Sequence, residues 1–454
     1  MPQPLTRNSS LAQWLAYLEQ LHPSEIDLGL IRIKDVAEKL GLLTFDCPVI
    51  SIAGTNGKGT CVAAFEVMAK AQGKHIGSYT SPHLLRYNER IRIDGEPVDD
   101  QRIVDSFVAI EEVRGKTSLT YFEFGTLAAL YIFKQHELEQ TGHQQPCLDA
   151  IALEVGLGGR LDAVNIIDAD IAIVTSVAKD HEDWLGSDIG GIAREKAGIF
   201  RRWKAAITGV RIGEEPEPVL REVANSIEAD YVCHGKDFFA VQLDEGWQYE
   251  SPYNSVWLPD TELVKSNLAC VLNAWETLNW PLTNAEQAMG NLSVPGRLQK
   301  VSVNWPGEDK QPREKKLLLD VAHNPAAAKH LGEYLQAGER KRAAVFAVMA
   351  DKDITEVVAP ILPSIEEWFV AGLPHMPRAE QPDQLKSIIE ATARALEISA
   401  LEISTLSNDN VTSFDSVSDA LKAALDSTAD EIVVFGSFFT VEAALNCIKE
   451  IAQE

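Results

Sequence analysis

Short apolar runs rich in β-branched residues recur along the chain, and the stretches between them carry apolar residues at the 3.6-residue spacing of a helix. This alternation is typical of an α/β fold with a mainly parallel sheet. In the first part of the chain, strands are predicted at Val49–Ala53, His75–Tyr79, Ala150–Val155, Ile171–Val177 and Ala205–Val210, with helical spacing in segments such as Phe122–Lys134. Ligands of such sheets bind at the carboxyl ends of the strands, so the loops after these runs are expected to carry the functional residues.

The pattern is interrupted by Pro-Gly within Ser293–Arg297 and then resumes. The second series predicts strands at Lys316–Val321, Ala343–Met349, Glu367–Ala371 and Glu431–Ser437. We therefore predict two domains, residues 1–294 and a smaller α/β domain at residues 295–454, which also suits the length of 454 residues. The polar stretch at residues 139–145 is predicted to be a surface loop.

Composition narrows the class of protein. The hydrophobic content of 45% and charged content of 24% are those of a soluble globular chain. The 67 acidic and 41 basic residues give a net charge of −26, which argues against a nucleic-acid or anionic-membrane partner. The six cysteines show no C-x-x-C pairing, which suits free thiols in a reducing compartment, and no stretch has the pattern of a signal peptide or membrane span. We predict a cytoplasmic protein.

The loop after the first predicted strand reads Ala-Gly-Thr-Asn-Gly-Lys-Gly-Thr over residues 53–60. Glycines let backbone N–H groups approach phosphate oxygens, and the N-terminus of a helix predicted at residues 61–72 adds partial positive charge. Lys58 would neutralise phosphate charge, and Thr60 would offer a hydroxyl to Mg²⁺. The spacing differs from the usual phosphate loop because Gly59 separates the lysine from the hydroxyl residue, and the alternative is a simple glycine turn. We interpret the loop as a nucleoside triphosphate site.

Three further polar motifs follow predicted strands and are expected to reach the same sheet edge as the phosphate loop. They contain Ser81 (Ser-Pro-His), Glu154 (Glu-Val-Gly-Leu-Gly-Gly-Arg) and His181 (Lys-Asp-His). A hydroxyl, a carboxylate and an imidazole beside a bound triphosphate would make a magnesium site. Ser81 before a proline is also typical of turns, and a lone histidine is more often structural because Mg²⁺ prefers oxygen ligands.

A series of motifs occurs in order along nearly the whole chain. They are Gly54–Thr60, Ser81–Arg90, Glu154–Ala163, Asp180–His181, Arg194–Gly198 and Asp320–Pro325. Together they resemble the folylpolyglutamate synthase/dihydrofolate synthase family of the Mur ligase superfamily, and the match extends from Ile26–Gly29 to Gly436–Phe438. Chance explains one such motif but not the ordered series.

The resemblance implies a fold and an activity. The fold would be a P-loop Mur ligase-like domain with a mainly parallel sheet at residues 1–294, and a smaller Rossmann-like glutamate ligase domain at residues 295–454. The activity would be ATP-dependent: a substrate carboxylate is phosphorylated, and the amine of L-glutamate attacks the acyl phosphate. The implied partners are ATP, L-glutamate, dihydropteroate and tetrahydrofolates, in folate biosynthesis and one-carbon metabolism, and we expect a monomer.

The family's site residues fall on matching positions of this chain. The implied ATP-binding residues are Asn56, Gly57, Lys58, Gly59, Thr60, Asn267, Arg297 and Asp320. The implied catalytic residues are Lys58, Lys196 and His323, with Asn324 nearby. One Mg²⁺ would be held by Thr60, Ser81 and Glu154, and a second by His181 and by Lys196 bearing a CO₂-derived carbamate. From the residues alone Lys196 is an ordinary surface lysine, and only the resemblance assigns it a role.

Two kinds of family member differ in substrate. Residues 118–126 resemble the version in bifunctional bacterial enzymes, which implies dihydropteroate contacts from Thr120, Tyr121, Phe122 and Glu123, and from Leu161, Asp162 and Ala163. The two rings would stack on the pterin and Glu123 would hydrogen-bond it. The alternative is that both rings belong to a helix core.

Other functions also use a phosphate loop. A folylpolyglutamate synthase without dihydrofolate synthase activity is the first alternative, and a P-loop kinase or NTPase is the second. A Mur ligase acting on a cell-wall precursor would need a nucleotide-sugar domain before the loop, where about 50 residues stand. A non-enzymatic nucleotide-binding module would not need the implied metal positions.

Overall fold

The computed structural model describes residues 5–22, 24, 27–139, 147–306, 312–338, 340–399 and 410–452. The chain divides into two compact units, Met1–Leu292 and Ser293–Glu454. Residue 26 of the family match and residues 140–145 of the predicted surface loop lie outside the described residues. Within the described ranges, no helix has both the length and the apolar character needed to span a bilayer.

The first unit contains ten helices and eleven strands among its described residues. The helices are α1 (Leu11–Leu18), α2 (Ile31–Lys39), α3 (Lys58–Ala71), α4 (Asp100–Arg114), α5 (Tyr121–Glu139), α6 (Glu182–Leu185), α7 (Ile189–Ala197), α8 (Glu217–Ser226), α9 (Lys265–Thr277) and α10 (Ala285–Gly290). The strands are β1 (Val49–Ala53), β2 (Ile76–Tyr79), β3 (Ile91–Ile93), β4 (Glu96–Pro97), β5 (Ala150–Glu154), β6 (Ile171–Val174), β7 (Ala205–Thr208), β8 (Asp230–Cys233), β9 (Phe239–Gln242), β10 (Trp247–Glu250) and β11 (Ser255–Leu258).

Eight of these strands form one mainly parallel sheet in the order β4-β3-β2-β5-β1-β6-β7-β8. The five strands predicted from apolar runs are its central members and pair in parallel. At one edge β3 and β4 pair antiparallel, and at the other β8 continues the parallel order. The carboxyl ends of β2, β5, β1 and β6 are therefore neighbours, which confirms the predicted convergence of the four motif-bearing loops.

Both faces of this sheet are buried, which explains the continuous apolar runs in its strands. On β1, Val49 and Ala53 belong to a core cluster that includes Trp14 and Phe107. The alternate residues Ile50 and Ile52 of the same strand belong to a second cluster with Phe65 and Trp275. The period-2 alternation of a strand thus distributes one apolar run over two cores.

The small antiparallel sheet β11-β10-β9 was not predicted. Its strands have four residues each, and most of their side chains are half-buried or exposed. Only one face contributes large buried groups, among them Trp247 and Tyr249. An alternation over four residues is too short to distinguish such a strand from a polar loop.

The second unit contains a six-stranded sheet in the order β12-β13-β17-β14-β15-β16, with β12 antiparallel at its edge. Its strands are β12 (Gln299–Pro306), β13 (Pro312–Asp320), β14 (Arg342–Phe346), β15 (Glu367–Ala371), β16 (Val411–Phe414) and β17 (Glu431–Phe435). Its helices are α11 (Pro325–Gln336), α12 (Ile354–Val358), α13 (Pro382–Ser399), α14 (Val417–Asp426) and α15 (Phe438–Ile451). The four predicted strands are confirmed, whereas β12 and β16 were missed. The predicted α/β fold class is confirmed for both units.

Candidate active site

The phosphate loop runs from the end of β1 into the first turn of α3. Gly57 stands immediately before the helix with φ of 85°, a left-handed conformation that favours glycine. The Lys58 amine donates to the carbonyls of Gly54 at 3.1 Å and Thr55 at 3.3 Å, so its charge stays over the loop. Thr60 follows in the first turn and is buried. The sequence therefore builds a cradle at a helix N-terminus.

The segment after β6 holds this loop in place. The Thr55 N–H donates to the Ser176 carbonyl at 2.8 Å, and the Thr55 hydroxyl donates to the Ala178 carbonyl at 3.0 Å. The Thr175 hydroxyl donates to the Asn56 carbonyl at 2.7 Å. These bonds fix the loop before any nucleotide binds, which lowers the entropy cost of ordering it later.

Glu154 is a buried carboxylate at the end of β5 and lies beside the start of α3. Its Oε2 accepts the Ser81 N–H at 3.1 Å. The same oxygen lies 3.4 Å from where a Cβ at Gly59 would stand, so the carboxylate lies against the first turn of α3. One edge of the sheet thus brings together Thr60 of α3, Ser81 of the loop after β2 and Glu154 of β5.

Lys196 is buried in the last turn of α7, with 3% of its surface exposed. Burial is the main cause that lowers the pKa of Lys196 from 10.5 to about 7; the charge of Lys58 lowers it further and that of Asp180 opposes the shift. The interpretation as a surface lysine, favoured by the bare sequence, is wrong. Near neutral pH a substantial fraction of this amine is uncharged.

Close packing at two glycines, Gly159 and Gly198, surrounds the end of α7 where Lys196 lies. A Cβ at Gly159 would stand 2.7 Å from the Glu195 carbonyl oxygen and 2.9 Å from that of Lys196. A Cβ at Gly198 would overlap Arg160. The loop after β5 and the end of α7 therefore interlock, and the Arg160 N–H donates to the Glu195 carbonyl at 2.8 Å.

His181 is more open to solvent than the other proposed metal residues. Its side chain is 45% exposed, it precedes α6 with φ of 53°, and its Nε2 lies 4.0 Å from Asp180 Oδ1. Asp180 is the group whose charge reaches Lys196. The loop after β6 therefore brings His181 and Asp180 to the sheet edge at which Lys196 lies.

Residues 120–123 form the start of α5. Thr120 and Glu123 cap the helix reciprocally: the Thr120 N–H donates to Glu123 Oε2 at 2.8 Å, and the Glu123 N–H donates to Thr120 Oγ1 at 3.2 Å. Glu123 Oε1 also accepts from Arg32 at 3.2 Å. The ring of Phe122 lies against Gly156, where a Cβ would stand 2.5 Å from its tip. Tyr121 and Phe122 are half-buried, whereas Thr120 and Glu123 are buried.

Leu161, Asp162 and Ala163 follow the glycine-rich loop after β5. Asp162 is buried, accepts from the N–H groups of Leu157 at 2.8 Å and Val164 at 2.9 Å, and so shapes the turn. Burial raises the pKa of Asp162 to about 6, against the effect of these hydrogen bonds and of Lys58. The segment implied for dihydropteroate is therefore within electrostatic reach of the phosphate loop.

Asn267, on α9, packs directly on the phosphate loop. A Cβ at Gly57 would overlap its side-chain amide, so only glycine fits there. The Asn267 Oδ1 is buried and has no hydrogen-bond partner in the described part of the chain. An orphaned acceptor beside a phosphate cradle fits a nucleotide that supplies the missing donor.

In the second unit, the remaining implied residues gather where β13 ends. Asp320 accepts from the N–H groups of Leu298 and Ala322, each at 2.8 Å, and burial raises its pKa while Arg297 opposes that shift. The His323 Nδ1 lies 2.7 Å from the Val321 carbonyl. Arg297 lies over the ring of Phe438 with its Cζ 5.5 Å from the centroid, and His323 lies 6.5 Å from the same ring. Asn324 is buried and caps α11.

This arrangement of residues occurs in a chain that is similar to known ligases. Residues 297–438 match the family model described as Mur ligase, glutamate ligase domain. The chain is 39% identical to the dihydrofolate synthase/folylpolyglutamate synthase of Escherichia coli strain K12, over 97% of this chain and 96% of the relative. The chain belongs to the dihydrofolate synthase/folylpolyglutamate synthase family.

The fold of this chain is similar to solved structures of family members over nearly its full length. E. coli FolC in complex with DHPP and ADP is 37% identical, with a TM-score of 0.86 over 98% of this chain and 99% of that one. A bifunctional folylpolyglutamate synthase/dihydrofolate synthase with Mn, AMPPNP and L-glutamate bound is 38% identical, with a TM-score of 0.83 over 98% and 100%. This chain is thus an ATP-dependent glutamate ligase of folate biosynthesis, which excludes the kinase and cell-wall alternatives.

No role was assigned from the sequence to one half-buried charged group in this first unit of the folylpolyglutamate synthase/dihydrofolate synthase, Arg90. Arg90 lies inside the Ser81–Arg90 motif. Its Nε donates to His83 Nδ1 at 2.8 Å. Burial and the Arg90 charge lower the pKa of His83 to about 4, so this imidazole is neutral at ordinary pH. The only signal in the sequence was the density of charged residues between positions 86 and 92.

Proposed function

We propose that this ligase joins L-glutamate to dihydropteroate, giving dihydrofolate, and adds further glutamates to tetrahydrofolates. The ligands of solved relatives, DHPP in one and L-glutamate in another, support both halves of the proposal. The observation that carries it is a buried lysine of lowered pKa, Lys196, within electrostatic reach of the phosphate-loop lysine, Lys58. A simple ATPase would not need this second amine.

Asn56, Gly57, Lys58, Gly59 and Thr60 are proposed to bind the ATP phosphates. The N-terminus of α3 supplies partial positive charge, and the Lys58 amine, now donating to carbonyls of its own loop, would exchange these neutral acceptors for phosphate oxygens. Asn267 would offer its buried Oδ1 to the nucleotide. In the second unit, the proposed ATP-binding residues are Arg297 and Asp320, and the proposed catalytic residue is His323.

The residues around Glu154 fit a magnesium ion. The carboxylate of Glu154 is buried, and Thr60 and Ser81, which carry hydroxyls, lie at the same edge of the sheet. Oxygen donors of this kind are what Mg²⁺ prefers. When bound, the ion would neutralise charge that builds on the transferred phosphoryl group.

A second magnesium position is proposed at His181 and Lys196. A neutral Lys196 amine can attack CO₂, forming an N–C bond and releasing one proton, so that a cation becomes an anionic oxygen donor. The repulsion between Lys196 and Lys58 would then become attraction. The lowered pKa of Lys196 supports this modification, since an ammonium ion has no lone pair for the attack.

The chemistry follows from the poor reactivity of a carboxylate. A carboxylate oxygen of the acceptor attacks the γ-phosphorus of ATP, ADP leaves, and an acyl phosphate results. The glutamate amine attacks its carbonyl carbon, a tetrahedral intermediate forms, and phosphate leaves as the amide appears. Lys58 stabilises charge on the transferred phosphoryl group, and the buried setting of Glu154 and Lys196 limits the water that would hydrolyse the acyl phosphate.

Residues 120–123 and 161–163 are proposed to line the dihydropteroate site. The half-buried rings of Tyr121 and Phe122 have surface left for stacking. Glu123 already accepts from Thr120 and Arg32, so it would contribute through the lone pairs that remain. We further propose residues 1–294 and 295–454 as the ATP-binding and glutamate ligase domains, a monomer, and a reducing cytoplasm, where the six free cysteines would stay reduced.

One assay tests the proposal. ADP formation is measured with dihydropteroate and then with tetrahydrofolate, each with and without L-glutamate. We expect sustained ADP release in both cases only when L-glutamate is present. Turnover with tetrahydrofolate alone as acceptor would indicate a folylpolyglutamate synthase without dihydrofolate synthase activity, and ADP release that does not depend on glutamate would contradict ligation.

A further inference from the structure

Arg90 ends the short 3₁₀-helix Tyr87–Arg90 and is surrounded by neutral groups. Its Nε donates to the His83 imidazole at 2.8 Å. Its Cζ lies 5.5 Å from the ring centroid of Tyr87 and 5.7 Å from that of Tyr121. The Tyr79 hydroxyl is a further partner. Each contact is an imidazole, a phenol or an aromatic face, and none carries a negative charge.

The neighbouring arginines of the same segment are different. Arg92 pairs with Glu66 at 2.7 Å, and Arg86 pairs with Asp100 at 3.3 Å. Among the residues that the structure describes, no carboxylate lies within 4.0 Å of the Arg90 guanidinium. A half-buried cation with only neutral partners favours the binding of an anion. Its charge is already partly desolvated and held in position, so little further cost is incurred when the anion binds.

The position of Arg90 lies between two parts of the proposed site. On one side His83 is two residues from Ser81, whose N–H reaches Glu154. On the other side is the ring of Tyr121, at the start of the proposed dihydropteroate segment. An acceptor with its pterin near that segment and its reacting carboxylate near the phosphate loop would pass through this position.

We propose that Arg90 binds the reacting carboxylate of the dihydropteroate or folate acceptor, with His83 as the residue that orients its guanidinium. This inference rests on the proposed function and extends it to a substrate-binding residue. The planar guanidinium keeps N–H donors beyond its bond to His83, and these can hold one carboxylate oxygen while the other attacks ATP. The same cation would stabilise the acyl phosphate.

L-glutamate also carries carboxylates and is the competing source of the anion. The structure favours the acceptor, because the ring of Tyr121 contacts Arg90 directly and the ring of Phe122 lies 6.1 Å from that of Tyr79. Both aromatic contacts belong to the segment assigned to dihydropteroate.

The test compares two ligands and three variants of the full chain. Equilibrium binding of dihydropteroate, and of its uncharged carboxamide, is measured by pterin fluorescence for Arg90→Gln, Arg90→Lys and the exposed, ion-paired control Arg86→Gln. For Arg90→Gln we expect dihydropteroate affinity to fall about 10- to 100-fold, as for a charge-assisted hydrogen bond, with carboxamide affinity unchanged. Arg90→Lys should recover part of the loss, and Arg86→Gln should match the wild type.

Three results would overturn the proposal. Equal weakening of both ligands would indicate a structural role for Arg90. Unchanged dihydropteroate affinity together with a raised KM for L-glutamate would assign Arg90 to glutamate. Unchanged values throughout would remove Arg90 from the site. ADP affinity serves as the folding control, and because binding needs no turnover, an inactive wild type would reject the proposed function separately.

Discussion

Two buried cations of this chain have opposite surroundings. In the second unit, Arg342 donates to Glu431 at 2.8 Å and to the Leu335 carbonyl at 2.8 Å, and the side chains of the Arg342–Glu431 pair are each 5% exposed. In the first unit, Lys196 is as deeply buried, yet within the described ranges no carboxylate lies within 4.0 Å of its amine. Two charged groups act on its pKa: Lys58 lowers it and Asp180 raises it.

The difference separates a cation that serves the fold from an amine kept for chemistry. A buried charge needs a partner of opposite sign or it loses its charge. Arg342 has that partner in Glu431. The pKa of Lys196 is instead lowered to about 7, which leaves a fraction of its amine uncharged near neutral pH. We propose, as the central claim, that Lys196 acts as a carbamate.

The largest expected effect is on the phosphate loop. Lys58→Ala should lower glutamate-dependent ADP formation by about 10³-fold, because the missing charge is needed on the transferred phosphoryl group. The exposed Lys70, on the same helix, supplies the control Lys70→Ala, which should keep full activity. Near-normal turnover of a folded Lys58→Ala variant would sink the assignment of this loop.

Removing one partner of the Arg342–Glu431 pair should lower the stability of the fold and leave the catalytic step unchanged. Glu431→Gln leaves Arg342 buried without a counter-charge, and we expect the free energy of unfolding to fall by about 3 kcal/mol in urea denaturation. The control Glu333→Gln removes an exposed partner of Lys329 and should cost less than about 0.5 kcal/mol. Equal small losses would show that burial does not distinguish these pairs.

Lys196→Ala should lower turnover by about 10²- to 10³-fold, the range for loss of one electrostatic group in a site. ATP affinity should change little, and acetate should restore some turnover by supplying a carboxylate in place of the carbamate. The exposed, ion-paired Lys204 gives the control Lys204→Ala. A parallel loss of ATP affinity would mean that Lys196 only supports the fold of the loop.

Glu123→Ala tests whether the α5 start recognises substrate or only caps its helix. If it lines the dihydropteroate site, dihydrofolate synthesis should fall several-fold more than glutamate-tail extension. The lost cap should also cost about 1 kcal/mol of stability. Equal losses in the two activities would favour the capping role alone, and kcat/KM for both acceptors decides between them.

The pH dependence of stability gives the smallest effect and has a definite sign. Between about pH 7 and pH 10.5 an unfolded Lys196 keeps a proton that the folded one has lost, so its contribution to the free energy of unfolding rises with pH. Below this window the penalty for burying the ammonium ion is complete. The difference between wild type and Lys196→Met, without CO₂ or metal, should therefore rise with pH above neutrality. A flat difference would contradict the lowered pKa.

A feature could be predicted from the sequence where a single segment contains all the residues that produce it. Residues 53–60 carry strand, glycines, lysine and hydroxyl together, and β1 is apolar because both its faces are buried. The short edge strands β3 and β4 have three and two residues, too few for a periodic signal.

Groups whose environment comes from distant segments could not be predicted from local pattern. Lys196 is buried at the end of α7, where Gly159 and Gly198 allow the loop after β5 to pack closely, and no local pattern reports that contact. Arg90 acquires its neutral surroundings from residues 79, 83, 87 and 121, which only the fold brings together.

The most direct test of the central claim is detection of the carbamate itself. The active, magnesium-bound enzyme is equilibrated with ¹³C-bicarbonate and a non-hydrolysable ATP analogue, and its carbon-13 NMR spectrum is compared with that of Lys196→Ala. We predict a carbamate resonance in the wild type that is absent from the variant and grows in step with turnover as CO₂ is added. An active, magnesium-bound enzyme with no such resonance, and with unmodified Lys196 in its electron density, would contradict the account.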